Sequence, residues 1–312
     1  MLRTQGRRPR GLAQALACLA AQTYQDFEVR LVVHDADPTG LGLVRATVDA
    51  LIPSFAASIH VMPIEGGSRT APLNAALDAA TGSYVVFLDD DDLVEPNWLE
   101  AFRAGAERRS GTVVRARCAE QPWHGDRDTG DPIEPAGPAG QPWAATFDLL
   151  LHVHHNESPI CSFALPLDGL RERAMRFDEE LAVLEDWDLF MRSVFAFDVV
   201  DVDARTSTYR RISTGTSRAV HDDEVWADTI PVVRKRWEDA RLPLPDGWAT
   251  TLAIAYETDV KLRATTAEMQ EAVGRLQHEN GVLQARVHAV EASRWWRLTK
   301  PLRMLSGVLR GG

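Results

Sequence analysis

The chain has 312 residues, of which 45% are hydrophobic and 25% charged, and its formal net charge is −11. This composition is typical of a folded protein of one or two domains, and the excess of acidic residues makes nucleic acid a poor partner. Three widely spaced cysteines, Cys18, Cys118 and Cys161, exclude a disulfide scaffold and a cysteine zinc site. They fit a reducing compartment, so we expect a cytoplasmic protein, and no apolar run approaches the ~18 residues of a membrane span.

Strands and helices are predicted to alternate from the start of the chain. Leu12, Leu16 and Leu19 recur at helical spacing and predict an amphipathic helix over residues 11–21. A signal peptide is the alternative, because arginines precede this stretch. The alternation predicts a doubly wound α/β fold with a mainly parallel sheet. Strands are expected at residues 27–33, 58–62, 84–88 and 112–117, and helices at 41–51, 71–80 and 96–109.

The second part of the chain is less regular. Residues 121–141 are rich in Gly, Pro and Asp and predict a long loop, which in a compact domain is usually functional or mobile. Two closing strands are expected at 199–202 and 206–210. Prolines within 242–245 are expected to end a helix. The further predicted helices cover residues 184–195, 224–239 and 249–292.

Four adjacent aspartates, Asp89 to Asp92, follow the predicted strand 84–88. Carboxylates so close together repel one another, and a bound divalent cation would remove that cost. Hard oxygen ligands beside a phosphate suit Mg²⁺ or Mn²⁺, and α/β folds bind ligands at the carboxyl ends of parallel strands. The pattern favours a ligand site; the alternative is a solvated acidic turn before the helix that Pro96 opens.

A second acidic group opens the predicted helix 184–195. Glu185, Asp186 and Asp188 cannot share one helical face, because neighbours in a helix are about 100° apart. One carboxylate is therefore expected to point into a cleft, where it can act as a general base, while another caps the helix. The alternative is a capped amphipathic helix with Trp187 and Leu189 in the core.

Three further features have weaker signals. Asp35 ends the strand 27–33 at the same sheet edge as the acidic run, where it could accept from a base or sugar hydroxyl or cap a turn. Arg69 precedes the helix 71–80 and could pair with a diphosphate or a base, or lie on the surface. His152, His154 and His155 are predicted to line an acceptor site or the surface, and metal binding by them is less favoured.

The order of these parts resembles a family 2 glycosyltransferase with the GT-A fold, over about residues 1–215. The signals that are specific together are Gln22-Thr23-Tyr24, the aspartate-rich strand end, and the Glu-Asp-Trp-Asp helix start. The matching segments are 8–12, 20–24, 27–35, 73–77, 80–84, 87–96, 177–179 and 184–192.

The resemblance implies a role for each part of the acidic run. Asp89, Asp90 and Asp91 correspond to the DxD element. Asp91, with help from Asp89, would hold the metal ion that bridges the donor diphosphate, and Asp90 would face the ribose of the nucleotide. Thr4 would belong to the same nucleotide-sugar site.

The resemblance also implies the remaining site residues. Asp35 would contact the nucleotide base. Asp186 would be the catalytic base, with Glu185 beside it, in an inverting transfer. The family usually has Arg-Asn where this chain has Leu73-Asn74, so Arg69 is expected to take over the role of that arginine.

Two further departures from the family concern the first two strands. His34-Asp35 stands where two aspartates are usual. The first strand should precede Arg3 and Thr4, and only Met1 and Leu2 remain of it, so we expect a truncated first strand.

We therefore predict a metal-dependent transfer of a sugar from a nucleotide-diphospho-sugar to a glycan, lipid-linked or cell-envelope acceptor, as in polysaccharide biosynthesis. A nucleotidyltransferase is one alternative, and a catalytically silent GT-A-like scaffold is the other. The predicted organisation is a GT-A domain over 1–240, a linker over 241–248, a helical segment over 249–293 and a tail over 294–312.

The helical segment contains apolar residues at heptad spacing, which predicts a parallel homodimer through residues 262–290. The alternative is a single amphipathic helix packed on its own catalytic domain. The tail has five basic residues, no acidic residue and a Trp295-Trp296 pair, which predicts peripheral contact with the inner face of a membrane. Its alternative is a helix folded back on the acidic body.

Overall fold

The computed structural model describes residues 1–212, 223–238 and 248–293. The chain divides into two units, Met1–Leu242 and Pro243–Gly312. The first is an α/β unit with two sheets, and the described part of the second is one long helix. Most of the predicted linker over 241–248 and the whole tail over 294–312 lie outside the described residues.

The first sheet has four parallel strands in the order β3–β2–β1–β5. Leu2 lies opposite Leu31 on one side and Leu88 on the other, so β1 is central. The expected remnant of a first strand is therefore a three-residue strand in the middle of this sheet. In β2, Leu31, Val32 and Val33 are consecutive and buried, as expected of a strand that is covered on both faces. The bounds are Leu2–Thr4 (β1), Val29–His34 (β2), Ile59–Ile64 (β3) and Leu88–Asp89 (β5).

The predicted helices of the first half are present. The first helix, α1, begins at Pro9, whose missing N–H costs nothing in a first turn, and it buries Leu12, Leu16 and Leu19 as predicted. Asp37 caps the second helix by accepting from the backbone of Gly40. The bounds are Pro9–Ala20 (α1), Pro38–Asp49 (α2), Pro53–Ala56 (α3), Ala71–Ala79 (α4) and Trp98–Arg108 (α5).

The second sheet is mixed, and its longest pairing, between β7 and β10, is parallel. Its order is β4–β9–β7–β10–β6, with β8 paired to β7, and among these pairs only β7–β10 is parallel. The predicted strand 84–88 is divided at Phe87, where the chain passes from one sheet to the other. The bounds are Tyr84–Val86 (β4), Leu93–Val94 (β6), Val113–Gly125 (β7), Pro132–Pro135 (β8), Phe163–Pro166 (β9) and Val199–Ile212 (β10).

Two predictions for this sheet were wrong. Residues 121–141 do not form one loop, because β7 continues to Gly125 and β8 pairs back onto it. The prolines of β8 are tolerated on this edge strand, where a missing donor is not needed. The two predicted closing strands are one strand, β10, with shifts of register on either side of Arg205.

The remaining helices complete the core. The helix α8 buries Trp187, Leu189 and Phe190 in an apolar cluster beside the second sheet. The indole of Trp237 in α9 packs edge-on against Trp187, with ring centroids 4.8 Å apart. The bounds are Leu149–His154 (α6), Leu167–Glu172 (α7), Glu185–Phe197 (α8) and Asp223–Glu238 (α9).

The last helix, α10, spans Trp248–Ala292. From Leu262 to Val290, every position of the predicted heptad pattern is solvent-exposed. Over the described ranges, no helix combines the length and the apolar character that crossing a bilayer requires.

Candidate active site

The parallel strands bring several predicted residues to one edge of the first sheet. Thr4 and Asp89 are the last residues of β1 and β5, and Asp35 directly follows β2. These strands are neighbours, so their carboxyl ends lie side by side. The sequence predicted that Asp35 and the acidic run lie at one edge of the sheet. The strand order confirms this prediction, because β2 and β5 flank β1 and run parallel to it.

An arginine that the sequence analysis did not select holds the first aspartate. Arg3 of β1 donates from Nε to Oδ1 of Asp89 at 2.9 Å and from Nη2 to Oδ2 at 2.7 Å. Such a two-pronged ion pair is both strong and orienting. Arg3 is a charged residue between the buried Leu2 and Thr4 of β1, and it lies opposite Asp89 in the sheet. A charge between two buried residues was the signal in the sequence that could have pointed to Arg3.

Asp90 and Asp91 share a second arginine. Arg8 donates from Nη1 to Oδ1 of Asp90 at 3.1 Å and to Oδ2 of Asp91 at 2.6 Å. The hydroxyl of Thr4 donates to the other oxygen of Asp90 at 2.5 Å. Burial raises the pKa of Asp90 to about 7, against the opposing effect of Arg8. Asp90 therefore lies within a hydrogen-bonded group, and Asp91 is the more exposed of the two.

The fourth aspartate is structural. Asp92 is buried, and its Oδ1 accepts from the backbone N–H of Arg210 on β10 at 3.0 Å. Burial, with the charges of Asp91 and Asp89, raises the pKa of Asp92 well above its usual range. The guanidinium of Arg210 also donates to the carbonyl of Asp91. The acidic run is thus not a solvated turn: three arginines and a backbone amide contact it.

Glu185 connects this acidic run to the start of α8. Its side chain is buried, and its Oε1 lies 3.0 Å from Nη2 of Arg69 and 3.9 Å from Nη1 of Arg3. Arg3 therefore lies between Asp89 and Glu185. Leu184, just before the helix, has a φ of 64°, a strained backbone conformation for a branched side chain. Arg69, with its proposed diphosphate role, is accordingly anchored to the beginning of α8.

Asp186 is half-buried and is held by weaker contacts. Its Oδ1 accepts from the N–H of Trp187 at 2.7 Å, and both oxygens lie 3.4 Å from Nδ2 of Asn156. Removal from water and the neighbouring charge of Glu185 raise the pKa of Asp186 to about 7. By contrast, Asp188 is fully buried and pairs with Arg192 at 2.6 Å, so it stabilises the helix. Among these three carboxylates, Asp186 has the contacts expected of a general base.

A cavity of about 500 Å³ lies beside Asp35, with Arg7 and Gly40 also in its wall. Asp35 has a left-handed φ of 49°, and its Oδ1 accepts from the N–H of Gly66 at 2.6 Å. The β7–β8 turn, with Asp126, contributes another wall of the cavity. The stretch that the sequence predicted as loop therefore helps to enclose the candidate nucleotide pocket.

The histidine prediction is wrong for His152 and correct in part for its neighbours. His152 is fully buried, and both of its ring nitrogens have partners: Nε2 lies 3.0 Å from Oγ of Ser158, and Nδ1 lies 2.7 Å from the carbonyl of Asp148. Burial lowers its pKa to about 4, so the ring is neutral and structural. His154 and His155 are exposed.

The acidic edge has the donor chemistry of a site for a hard divalent cation. Asp89 and Asp91 offer hard, partly exposed carboxylate oxygens, with side-chain exposures of 23% and 15%, which fits Mn²⁺ or Mg²⁺. Both carboxylates pair with arginine, however, and within the described ranges no three His, Cys, Asp or Glu side chains converge as a ligand set. The two aspartates fit a cation that brings further oxygen ligands with it, such as those of a diphosphate.

Sequence comparison identifies a related family. Residues 7–142 match the family described as Glycosyl transferase family 2. A stretch of 111 residues is 34% identical to the succinoglycan biosynthesis protein ExoM of Rhizobium meliloti (strain 1021), covering 35% of this chain and 34% of that protein. The chain thus spans about a third of the length of this curated relative.

Solved structures show the same fold. TarS 1-349 of S. aureus, in complex with UDP-GlcNAc, has a TM-score of 0.58 at 17% identity, over 77% of this chain and 66% of that one. The mannosyltransferase PcManGT from Pyrobaculum calidifontis, in complex with GDP-Man and Mn²⁺, has a TM-score of 0.56 at 16% identity, over 97% and 82%. The first unit therefore has an α/β fold of the GT-A type. The sequence likeness to family 2 glycosyltransferases covers residues 7–142, which is less than half of the chain.

Proposed function

We propose that the protein transfers a sugar from a nucleotide-diphospho-sugar to an acceptor hydroxyl, with inversion at the anomeric carbon. The observation that carries this proposal is the position of Asp186. It is a half-buried carboxyl with a raised pKa of about 7, one residue from Glu185, and Arg3 links Glu185 to the acidic edge at Asp89. A proton acceptor and a candidate diphosphate site are thereby joined in one network.

The role of Asp186 follows from its surroundings. An ionised Asp186 takes the proton of the acceptor hydroxyl as that oxygen attacks the anomeric carbon. A base with a pKa near the working pH combines a useful ionised fraction with effective proton acceptance. The N–H of Trp187 and the amide of Asn156 orient the carboxylate.

The donor site follows from the cavity beside Asp35. Asp35 accepts from the nucleotide base, and Asp90, oriented by Thr4, faces the ribose. The guanidinium groups of Arg8 and Arg69 offer charge to the phosphates. UDP-GlcNAc and GDP-Man are donors present in structures of the same fold, which supports this class of ligand.

Asp89 and Asp91 are proposed to hold Mn²⁺ or Mg²⁺ together with the donor. When bound, such a cation stabilises negative charge on the leaving diphosphate. Arg3 and Arg8 contact the same two carboxylates, so they neutralise the acidic edge while the donor is absent.

The acceptor is proposed to be a glycan or a lipid-linked saccharide of polysaccharide biosynthesis, as the likeness to a succinoglycan biosynthesis protein supports. Peripheral membrane contact through residues 294–312 is part of this proposal. Its basis is the sequence alone, because these residues lie outside the described part of the chain. Vesicle co-sedimentation with and without anionic lipid tests the contact, and deletion of 294–312 should abolish it.

Binding and turnover of a panel of UDP-, GDP- and dTDP-sugars with Mn²⁺ tests the proposed function. We expect at least one donor to bind and to be slowly hydrolysed, and Asp91→Ala to abolish the Mn²⁺-dependent part of binding, because the diphosphate would meet the remaining aspartates without a cation. Glu180→Gln, at a 90% exposed carboxylate, is the matched control. Failure of every donor would favour a silent scaffold, whereas nucleotide transfer without sugar release would favour a nucleotidyltransferase. Donor affinity unchanged by a chelator would refute metal dependence alone.

A further inference from the structure

The surface of α10 points to a partner that the catalytic proposal does not require. We propose that residues 262–290 form a parallel, in-register, two-stranded coiled coil with a second copy of this chain. The proposal concerns assembly and stands or fails independently of the transfer reaction.

The first observation is an exposed apolar seam along α10. From Leu262 to Val290 the seam residues are spaced alternately by four and three positions, which is the heptad repeat of a coiled coil. The apolar ones are 51% to 65% exposed, so more than half of each is in contact with water. The d positions are Leu262, Met269, Leu276, Leu283 and Val290, and the a positions are Thr266, Val273, Asn280 and Val287.

The heptad spacing of the seam indicates that its partner is another helix rather than a flat protein surface. A straight α-helix drifts by about 20° per heptad from a 3.5-residue repeat. Over four heptads this amounts to roughly 80°, so a flat protein surface would lose the seam before it ended. A second helix that supercoils around the first keeps every a and d residue in the interface.

Asn280 determines the orientation and the register. It lies at an a position among apolar seam residues. In a parallel pair in register, the amide of Asn280 meets the amide of its counterpart and the two can hydrogen-bond. In an antiparallel pair it would face an apolar d residue and leave a buried amide unsatisfied. The amide of Asn280 therefore favours the parallel arrangement with equal register. Thr266, the other polar a residue, donates its hydroxyl to the carbonyl of Leu262 within the helix at 2.9 Å.

The flanking positions permit this arrangement. The g residues Thr265, Ala272 and Glu279 would face Gln270, Gln277 and Gln284 at e, so none of these three pairs brings like charges together. The ion pair between Glu271 and Arg275 occupies the outer f and c positions.

The ends of the seam are also defined. Asp259 would be the preceding a residue, and it pairs within the helix with Arg263 at 2.7 Å, so the apolar seam begins after it.

Gly274 and Gly281 both lie at b, on the outer face, where an added Cβ would meet nothing within 4 Å. The two glycines lower the stability of the helix but leave the interface uninterrupted. Because the associated helices are weakened in this way, we expect the dimer to form at micromolar rather than lower concentrations.

Sedimentation of the full-length chain tests the dimer. We expect a concentration-dependent dimer at tens of micromolar, and Leu276→Lys to raise its dissociation constant by about 10²-fold or more, because a charge would be buried at d. His278→Lys introduces the same charge two residues away on the exposed f face and should leave the dimer intact. Asn280→Val should tighten association and admit other oligomers. A strictly monomeric wild type, or equal effects of both lysines, would overturn the proposal.

Cross-linking tests the orientation. Thr266→Cys is placed in a Cys18→Ser background and treated with oxidised glutathione, which is reduced as two cysteine thiols form one disulfide. A parallel pair brings residue 266 beside its counterpart and gives a covalent dimer, whereas Glu268→Cys, on the outer c face, does not. A non-covalent dimer that fails to cross-link at 266 would overturn the parallel register.

Discussion

The first unit and the long helix differ in which side chains they expose to water. At the sheet edge of the first unit, charged side chains are buried or half-buried, and Arg3, Arg8, Asp89 and Asp91 neutralise one another at 2.6 to 2.7 Å. Along α10, the apolar seam residues are more than half exposed. Buried charge is stabilised by opposite charges or by a metal ion, and a contiguous exposed apolar surface is a candidate interaction site. The charges at the sheet edge are thus paired within the chain, whereas the seam of α10 offers the surface on which the proposed coiled coil rests.

The largest expected effect concerns Asp186, the candidate base in the first turn of α8. Asp186→Asn keeps size and hydrogen bonding but removes proton acceptance, so transfer should fall by about 10²-fold or more while donor affinity stays near normal. Initial rates and donor titration measure the two quantities separately. Wild-type-like turnover of the variant would assign the base to another residue.

Glycine-to-alanine changes should have opposite signs in the two regions. At Gly105 in α5, a methyl group would overlap Val114 and crowd Val202, so Gly105→Ala should cost about 1–3 kcal/mol in the free energy of unfolding. At Gly281 the added methyl group meets open space, and Gly281→Ala should stabilise the helix by about 1 kcal/mol. Urea unfolding and the thermal melt of the helical circular dichroism signal report the two effects. If Gly105→Ala and Gly281→Ala both stabilised or both destabilised the protein, the proposed difference in packing between the two regions would be wrong.

Removal of an internal counter-ion should make the acidic edge more receptive to external cations. Arg8→Gln takes a guanidinium away from Asp90 and Asp91, so the affinity for Mn²⁺ without nucleotide should rise by about tenfold. Arg127→Gln, at an exposed arginine, is the matched control. Titration followed by the electron paramagnetic resonance of free Mn²⁺ measures this affinity. Equal affinities in the wild type and Arg8→Gln would show that the arginine does not compete with the cation.

The smallest expected effect is a dependence of stability on pH. Because the pKa of Asp186 is raised to about 7, the folded state keeps a proton that the unfolded chain releases above about pH 4. The stability contributed by the protonated carboxyl of Asp186 is therefore lost as pH rises toward 7. After screening by water, we expect this loss to lower the free energy of unfolding by about 1 kcal/mol. The lowered pKa of His152 changes stability with pH in the opposite sense. Because His152 is present in both the wild type and Asp186→Asn, its effect cancels when the two are compared. Urea unfolding at about pH 5 and pH 7.5 should show a steeper fall for wild type than for Asp186→Asn.

Local periodicity was sufficient for the first half of the fold. The run of Val29 to Val33 and the spacing of Leu12, Leu16 and Leu19 depend on burial of one element against its neighbours, which leaves a pattern in the sequence. The second sheet depends on pairing between distant residues. Nothing local distinguishes β8 from a turn-rich loop, because its identity comes from the opposite strand residues Trp123 and His124.

The candidate site was predictable where acidic residues follow one another in sequence. Asp89, Asp91, Glu185 and Asp186 are marked by their clustering. Arg3, Arg8 and Asn156 are not, because each is defined by what it contacts across 30 to 86 positions of sequence. Which carboxylate is paired and which remains a candidate base is likewise a property of the folded geometry.

The start of α1 has a consequence for how ligand binding could be detected. Gly11 lies so close to the carbonyl of Asp90 that any side chain would collide with it, and the N–H groups of Gly11 and Arg10 donate to Asp131 at 2.9 and 3.2 Å. The first turn of α1 is therefore confined between the acidic edge and the β7–β8 hairpin. We expect a nucleotide that shifts Asp90 to change how often these two hydrogen bonds open. Amide hydrogen exchange at residues 10 and 11 would thus act as an intrinsic reporter of donor engagement, with no label and no acceptor needed.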